Sequence, residues 1–388
     1  SSDLEINAKI QDGILNDRFD KFNTLAYEDP ELAGHALWKY IAATYGKNVI
    51  SNILYMTRIS REVDDGFLYV IGVSFEDLYT DMLNYYQREY QKATAKEPQL
   101  GEAVGIKFKR GFRYENFKRS PDNQYFIYST NKFGRYKVYL YDLQKEKRKR
   151  IFKAEKRLER IQDYSYPIMD WHPSGKLFSF ITELKGQLLL YTYNLEEDEL
   201  FAKPILKIDK VLDFNYSKDG KQMVFSGVSN GQSDIYLYNI IGNTQNNLTN
   251  DIYDDLDPVF DENDQKIYFI SNRLNDSLNV PHQKSSFLRE KDLFSIDLNS
   301  DDYTIDYITN TPYEQESDPL FYDDELYYLE NKRGKIRRYT ARYDSAIASV
   351  DTSINYRFFY ETSLHDSPDR NVFEQSANSE EGIDQISY

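Results

Sequence analysis

The chain has 388 residues, with 48 Lys or Arg against 64 Asp or Glu and a formal net charge of −16. This acidic balance argues against nucleic acid as a main partner, because phosphate binding needs a continuous basic surface. The sequence has no cysteine, which excludes disulfides, thiolate catalysis and cysteine-ligated zinc. The mean hydropathy is −0.71, and no stretch approaches the ~20 apolar residues that span a bilayer. We therefore predict no membrane span.

The first 91 residues have a helical pattern, since apolar residues recur at spacings of three and four. Asp29 followed by Pro30 is typical of an N-cap and a first helical residue. The helix that they begin is predicted to end at Gly46. We predict a helical domain over residues 1–91.

Two further helices are predicted within this domain. One contains the apolar residues of the segment 49–56. The other begins at Ser74, whose side chain with that of Asp77 resembles a capping box. A segment with Lys, Ala, Pro and Gly follows, and we predict that residues 92–104 are a linker.

From residue 105 onward, a polar turn between two tyrosine-rich runs recurs five times. The turns are Ser120–Gln124, His172–Lys176, Ser217–Lys221, Asp261–Gln265 and Tyr322–Glu325. The first four begin 52, 45 and 44 residues apart. Asp, Asn and Gly tolerate the left-handed backbone of a tight hairpin, so each turn reverses the chain between two strands. A period of roughly 40 to 50 residues with several short strands is typical of propeller blades.

The predicted fold class is therefore multidomain, α followed by all-β. Residues 105–388 are predicted to form a β-propeller of five or six blades. The segment 357–378 is predicted to begin the sixth blade.

Two segments resemble known families. The repeats, notably Val211–Asn239 and Leu248–Arg273, resemble the TolB-type (WD40-like) β-propeller. Ala33–Tyr86 resembles the helical C-terminal half of peptidase MA-like (gluzincin) zinc metallopeptidase domains, with Tyr45-Gly46 and the step Gly72–Glu76 as its landmarks. The pairing is similar to cell-envelope proteins of Bacteroidetes-type bacteria, and this resemblance implies a location in the periplasm or cell envelope.

The zinc site of that peptidase family has no counterpart in this sequence. It needs H-E-x-x-H on a helix, whereas the four histidines here are far apart. His35 is predicted to be packed or hydrogen-bonded, and His172 to be a turn residue. His282 falls in the polar insertion 275–290 and His365 in a polar tail. We predict no catalytic, cofactor-binding or metal-binding residue and no cofactor.

Three other patterns have competing interpretations. Gly227–Gly231 matches G-x-S-x-G, but that nucleophile motif requires a strand-to-helix turn, and here a hairpin between two strands is predicted. The acidic run Asp251–Asp264 suggests calcium, yet its spacing does not fit an EF-hand loop, and turn chemistry explains it. The basic run Lys145–Arg160 is predicted to be a solvated blade edge; an acidic partner or anionic lipid is the alternative.

The leading function is a non-catalytic envelope scaffold that binds other envelope or outer-membrane proteins through the propeller face. The alternative is a fragment of a zinc metallopeptidase whose HExxH helix lies upstream, with the propeller as a substrate platform. Binding of carbohydrate or peptidoglycan stays open as a third hypothesis. The sequence favours a chain that is not an enzyme without excluding one.

Overall fold

A computed structural model describes most of the chain. The described residues are 2–15, 19, 21–91, 106, 109, 112–132, 134–154, 165–273, 290–299, 303–311, 314–332, 334–350, 354–366, 371–378 and 382–387. The predicted linker 92–104, His282 and nearly all of the insertion 275–290 lie outside them. The chain divides into two compact units, one formed mainly by Ser2–Arg113 and the other by Tyr114–Ser367 with Val372–Ser387.

The first unit is helical. Its described residues form α1 Ser2–Leu15, α2 Phe22–Glu28, α3 Pro30–Tyr45, α4 Asn48–Ser60, α5 Val63–Ile71 and α6 Phe75–Gln91. The predicted caps are confirmed: the backbone N–H of Leu32 donates to Asp29 Oδ1 at 3.0 Å, and that of Asp77 donates to Ser74 Oγ at 3.1 Å. Each side chain satisfies a donor that the first turn of its helix leaves without a partner.

The helical core comes from the apolar positions that the periodicity predicted. Its buried members include Leu37, Ile41, Ile53, Leu78, Met82 and Tyr86. The phenol of Tyr86 donates to the carbonyl of Ala36 at 3.0 Å, so its one polar atom is paired inside the core. None of the described helices is both long and apolar enough to cross a membrane.

The second unit consists of antiparallel sheets, five of them four-stranded in sequence order. The first sheet consists of β1 Arg113–Arg119, β2 Tyr125–Lys132, β3 Arg135–Asp142 and β4 Lys147–Lys153. The second consists of β5 Ile168–Trp171, β6 Leu177–Leu184, β7 Gln187–Asn194 and β8 Glu199–Pro204. The third consists of β9 Lys210–Tyr216, β10 Gln222–Ser229, β11 Gln232–Asn239 and β12 Thr244–Asn247. The fourth sheet consists of β13 Asp255–Phe260, β14 Lys266–Ser271, β15 Asp292–Asp297 and β16 Ile305–Tyr307. The fifth consists of β17 Gln315–Tyr322, β18 Glu325–Lys332, β19 Lys335–Val350 and β20 Ile354–Asp366. A final pair is β21 Val372–Asn378 and β22 Gly382–Ser387.

The five predicted turns each join the first and second strands of a blade. Their geometry repeats: Ser120 Oγ accepts from Tyr125 N at 2.9 Å, and Ser217 Oγ accepts from Gln222 N at 3.0 Å. Gly220 occupies its turn with a φ of 71°, a conformation that glycine adopts without steric cost. The predicted fold class, an N-terminal helical region followed by a β-propeller, is confirmed.

The start of the sixth blade was predicted too early. Residues 354–366 form β20, which pairs with β19 and completes the fifth blade. The sixth sheet begins at Val372, where β21 pairs with β22. The error arose because an apolar run predicts a strand but does not reveal which sheet edge that strand joins. His365 consequently lies in β20 and not in a polar tail.

The described part of the basic run follows its prediction. Lys147–Lys153 is β4, the outermost strand of the first blade, and Lys147, Arg148, Lys149 and Arg150 are exposed. Charged side chains on such a strand oppose pairing with another sheet edge.

Candidate functional site at the propeller channel

The first strands of successive blades lie side by side and are linked by side-chain hydrogen bonds. The amide of Asn116 on β1 donates to the carbonyl of Pro167 beside β5 at 2.8 Å. Asp170 on β5 accepts from the backbone N–H of Tyr216 on β9 at 3.2 Å, and Asn215 there accepts from Phe260 N on β13 at 3.3 Å. The polar side chains of these strands therefore line the middle of the ring.

Backbone bulges orient several of these side chains. Asn116, Asp257 and Asp318 have φ values of 59°, 48° and 47°, in the left-handed region that Asn and Asp tolerate better than most residues. The strand pairing shifts register beside the two aspartates, in β13 and in β17. A bulge changes the direction of a side chain relative to a regular strand.

One lysine lies among the carboxylates of these strands. Burial by itself would lower the pKa of Lys118, but Asp318, Asp170, Asp213 and Glu374 outweigh it and raise that pKa above its usual value. These groups come from β1, β5, β9, β17 and β21. The ammonium is therefore charged throughout the physiological pH range.

The carboxyl groups on these strands, in contrast, have pKa values that burial raises above the usual range. Burial raises the pKa of Glu374 to about 7, with Asp318 and Glu115 adding to the effect. Burial also raises the pKa of Asp318 to about 6, although Lys118 opposes the shift. The pKa of Asp213 is raised first by burial and then by Asp257. For Asp213 and Asp318, burial therefore outweighs the attraction of Lys118 for the ionised form.

A cavity of about 670 Å³ opens at the end of the channel that carries the blade turns. Five aromatic side chains border it, those of Trp171, Tyr216, Phe260, Phe321 and Tyr322. Lys118 and Asp170 also border it, and Trp171 Nε1 donates to the carbonyl of Lys118 at 3.0 Å. A concave, mainly apolar site with a few charged groups is typical of binding pockets.

These channel residues were not predicted as a site. Asn116, Asp213, Asp257 and Asp318 each lie four positions before the first residue of a predicted turn. A repeated polar residue at one position of a repeat is the signal that could have revealed them. Only the closed ring of first strands shows that the four positions converge.

The three described histidines lie in separate elements and share no site. His35 is on α3. His172 is a turn residue as predicted: its Nδ1 accepts from Ser174 N at 3.1 Å, and burial lowers its pKa. His365 packs edge-on against Tyr327, with ring centroids 5.1 Å apart.

The acidic run Asp251–Asp264 contributes to a buried ion pair. Arg273 Nη2 lies 2.8 Å from Asp255 Oδ2 and 3.2 Å from Asp251 Oδ2, and all three side chains are fully buried. With Asp234, these aspartates are the one group in the described ranges whose ligand atoms all lie within 4.8 Å. The guanidinium of Arg273 is the cation that neutralises the aspartates of this group.

The G-x-S-x-G segment forms a hairpin, as predicted. It joins β10 to β11 through Asn230 and Gly231, whose φ values are 53° and 82°. Positive φ at both turn residues matches the twist of two antiparallel strands. The strand-to-helix geometry of a nucleophile elbow is absent from this segment.

No family model matches the chain, and no curated protein matches it. Solved propellers resemble it at low identity. TolB from Acinetobacter baumannii is 15% identical with a TM-score of 0.42, and the match covers 65% of this chain and 58% of that one. A protein assigned as a TolB from Agrobacterium tumefaciens is 15% identical with a TM-score of 0.48, over 72% and 92% of the two chains. The β-propeller domain of the Trilobed protease from Pyrococcus furiosus is 10% identical with a TM-score of 0.42, over 71% and 98%.

Proposed function

We propose that the chain is a non-catalytic scaffold of the cell envelope that binds another envelope or outer-membrane protein at the mouth of its propeller channel. The observation that supports this function is the cavity of about 670 Å³ at that mouth, which five aromatic side chains border. Large aromatic side chains supply much of the binding energy in protein interfaces, and the loops at one end of a rigid scaffold can vary without disturbing its core.

The chemistry of the channel also favours binding over catalysis. The nearest polar contacts of its charged groups are structural, since Asp170 and Asp318 accept backbone N–H groups of neighbouring blades. None of the described histidines borders the cavity. A nucleophile beside a general base, the usual catalytic arrangement, does not occur among the described lining residues.

Site-specific photo-crosslinking in cells that express the protein tests this proposal. A photoreactive amino acid in place of Tyr322, which borders the cavity, should capture a discrete envelope protein. The same amino acid in place of Ile241, which is 88% exposed and does not border the cavity, is the matched control and should capture none. Equal capture at both positions, or none at Tyr322, would contradict the proposal.

The same cells discriminate the metallopeptidase alternative. In that case the captured protein should be shortened with time, and a zinc chelator should stop the shortening. A scaffold leaves its partner intact with or without the chelator.

A further inference from the structure

The outermost strand of the fifth blade has one edge that no other described strand covers. Among the described strands, β20 pairs only with β19. We propose that the other edge of β20 pairs with β20 of a second copy of the chain, antiparallel about a two-fold axis at Phe359. This surface differs from the channel mouth, so the inference does not rest on the proposed function.

The edge of β20 differs from the outer edges of the other four-stranded blades. Strand β4 is short and basic, β8 has 6 residues and ends at Pro204, and β12 and β16 have only 4 and 3 residues. Short strands, charges and proline are the means by which proteins prevent pairing between sheet edges. Strand β20 has 13 residues and no proline, and its segment 358–360 has no charge. Its length and composition therefore favour pairing.

More than half of β20 lies beyond the blade, in a two-stranded ribbon. The pairing of β19 with β18 ends at Ala341, whereas its pairing with β20 continues to Val350. Among the described strands, residues 342–350 and 354–361 therefore pair only with each other. An isolated two-stranded ribbon is marginally stable in water, and three or more strands give a stable sheet. Two ribbons joined through β20 form a four-stranded sheet.

One face of the ribbon is aromatic and exposed. Tyr343 and Phe358 stack with ring centroids 5.7 Å apart, and they are 54% and 58% exposed. Tyr360 lies on the same face, with its ring centroid 5.1 Å from that of Tyr343. In the proposed pair, Phe358 lies opposite Tyr360 of the second copy. The two aromatic clusters then join into one, and aromatic pairs across strands stabilise a sheet.

The sequence of β20 is complementary to itself about Phe359. Antiparallel pairing centred there sets Arg357 opposite Glu361 of the second copy, and it also sets Ile354 opposite Leu364. Arg357 and Glu361 are the only charged residues in the segment 354–364. No other two-fold centre in that segment sets them opposite each other. Because opposite charges at facing positions stabilise a strand pair and like charges destabilise it, the occupant that β20 itself specifies is a second β20.

The proposed pairing also has defined ends. Strand β20 pairs residue by residue with β19 from Tyr356 to Leu364, and the register shifts at His365. A bulge ends regular pairing, so the contact covers residues 354–364 of both copies. Each copy contributes the same surface, as a two-fold interface requires, and the contact closes on itself. We therefore expect a dimer and not a fibre.

Disulfide trapping in the full chain tests the register, because the chain has no cysteine of its own. Phe359→Cys places a cysteine on the two-fold axis. Facing Cα atoms of antiparallel strands are about 4.5 to 5.5 Å apart, within the range of about 4.4 to 6.8 Å that a disulfide joins. A mild oxidant should therefore convert most of this variant into a disulfide-linked dimer.

Ser363→Cys is the matched control. It lies on the same strand and, four positions away, on the same face. In this register the two copies of position 363 are eight residues apart, which is about 27 Å, so the variant should stay monomeric in a denaturing gel. Ser363 is more exposed than Phe359, so random collision would favour the control. Circular dichroism of both variants verifies their strand content.

Exchange of the two charges tests the partner. Arg357→Glu and Glu361→Arg each set like charges opposite each other, so each variant alone should dimerise at least about tenfold more weakly than the parent chain in sedimentation velocity. Mixed in equal amounts, the two variants should recover the affinity of the parent, because each charge then faces an opposite one. A variant that was merely misfolded would not be rescued by mixing. Lys147→Glu, at an exposed position on β4, should dimerise like the parent.

The parent chain should be largely dimeric at about 100 µM. A monomeric parent would overturn the inference and leave the edge to a strand of another protein. Equal trapping at positions 359 and 363, a dimer without trapping at 359, or no recovery on mixing would each overturn it as well. Crosslinking at Tyr322 examines the channel mouth separately, so either proposal can fail while the other stands.

Discussion

The carboxylate of Glu374 accepts a hydrogen bond from the backbone N–H of Phe117 at 3.0 Å. The two residues are 257 positions apart and join β21 to β1. A second oxygen of the same carboxylate accepts from Asn116 N at 3.2 Å. On the other side of β21, Asp318 accepts from the backbone N–H of Gln375 at 2.7 Å. Carboxylates thus hold β21 between the fifth and the first blade.

Removing the Glu374 side chain should loosen this junction. Glu374→Ala leaves two backbone N–H groups of β1 without their acceptor, so the free energy of unfolding should fall by about 1 to 3 kcal/mol. Glu374→Gln keeps one acceptor oxygen and removes a buried charge, so its loss should be smaller. Urea denaturation monitored by Trp171 in the Trp38→Phe background measures both. A larger loss for Gln than for Ala would show that the junction needs the negative charge.

The propeller should become less stable as the pH rises from 5 to 8. Burial raises the pKa of Asp318 to about 6, of Glu374 to about 7 and of Glu316 to about 8. Folding therefore favours their protonated forms, and this stabilisation is complete below the ordinary carboxyl pKa and lost as the pH passes each raised value. Each pH unit over which one of these groups is protonated only in the folded chain is worth about 1.4 kcal/mol, so we expect the free energy of unfolding to fall by several kcal/mol across this window.

The same denaturation series checks this pH dependence. Glu316→Gln should flatten the upper part of the profile, because its group no longer ionises. Glu361→Gln, at an exposed position on β20, should leave the slope unchanged. A stability that rises between pH 5 and 8 would contradict the prediction.

The buried pair of Arg273 and Asp255 should dominate the stability of the fourth blade. Arg273→Met leaves Asp251 and Asp255 without their cation, and breaking a buried ion pair costs about 3 to 5 kcal/mol. Arg273→Lys should recover only part of this loss, because a lysine lacks a second nitrogen to donate to Ser271 Oγ, as Arg273 Nε does at 3.0 Å. Denaturant unfolding measures the loss. Asp255→Asn added to Arg273→Met should restore part of it, and a double variant less stable than Arg273→Met would argue against this explanation.

Substitutions at two turn glycines can distinguish the cost of backbone strain from the cost of steric overlap. Gly175 and Gly220 have φ values of 69° and 71°, so an added Cβ costs about 1 kcal/mol or more at either position. At Gly175 the nearest atom to that Cβ is Asp122 Cγ at 3.6 Å, whereas at Gly220 it is His172 Nε2 at 2.2 Å. Thermal unfolding should therefore show a larger loss for Gly220→Ala than for Gly175→Ala. In the background His172→Ala the two losses should become similar, and a difference that persists there would rule out the histidine ring as its cause.

Much of the fold could be predicted because its signals are local. The N-cap Asp29 and the turn residues of Ser217–Lys221 act on backbone groups within five positions. The hairpin at Gly231 follows from residues that tolerate positive φ. Helices, strands and the repeat period are therefore set by short stretches of sequence, independently of the rest of the chain.

The channel and the closure of the ring were decided only by the tertiary structure. Lys118, Asp170 and Asp318 are in separate repeats, and each by itself is an ordinary polar residue near a turn. The pKa values of Asp170 and Asp318 are raised because the ring of first strands removes their carboxyls from water, whereas the pKa of Lys118 is raised because the ring surrounds it with carboxylates. The place of β21 also depends on contacts across 257 positions, whose cost in chain entropy is recovered only when all the blades have formed.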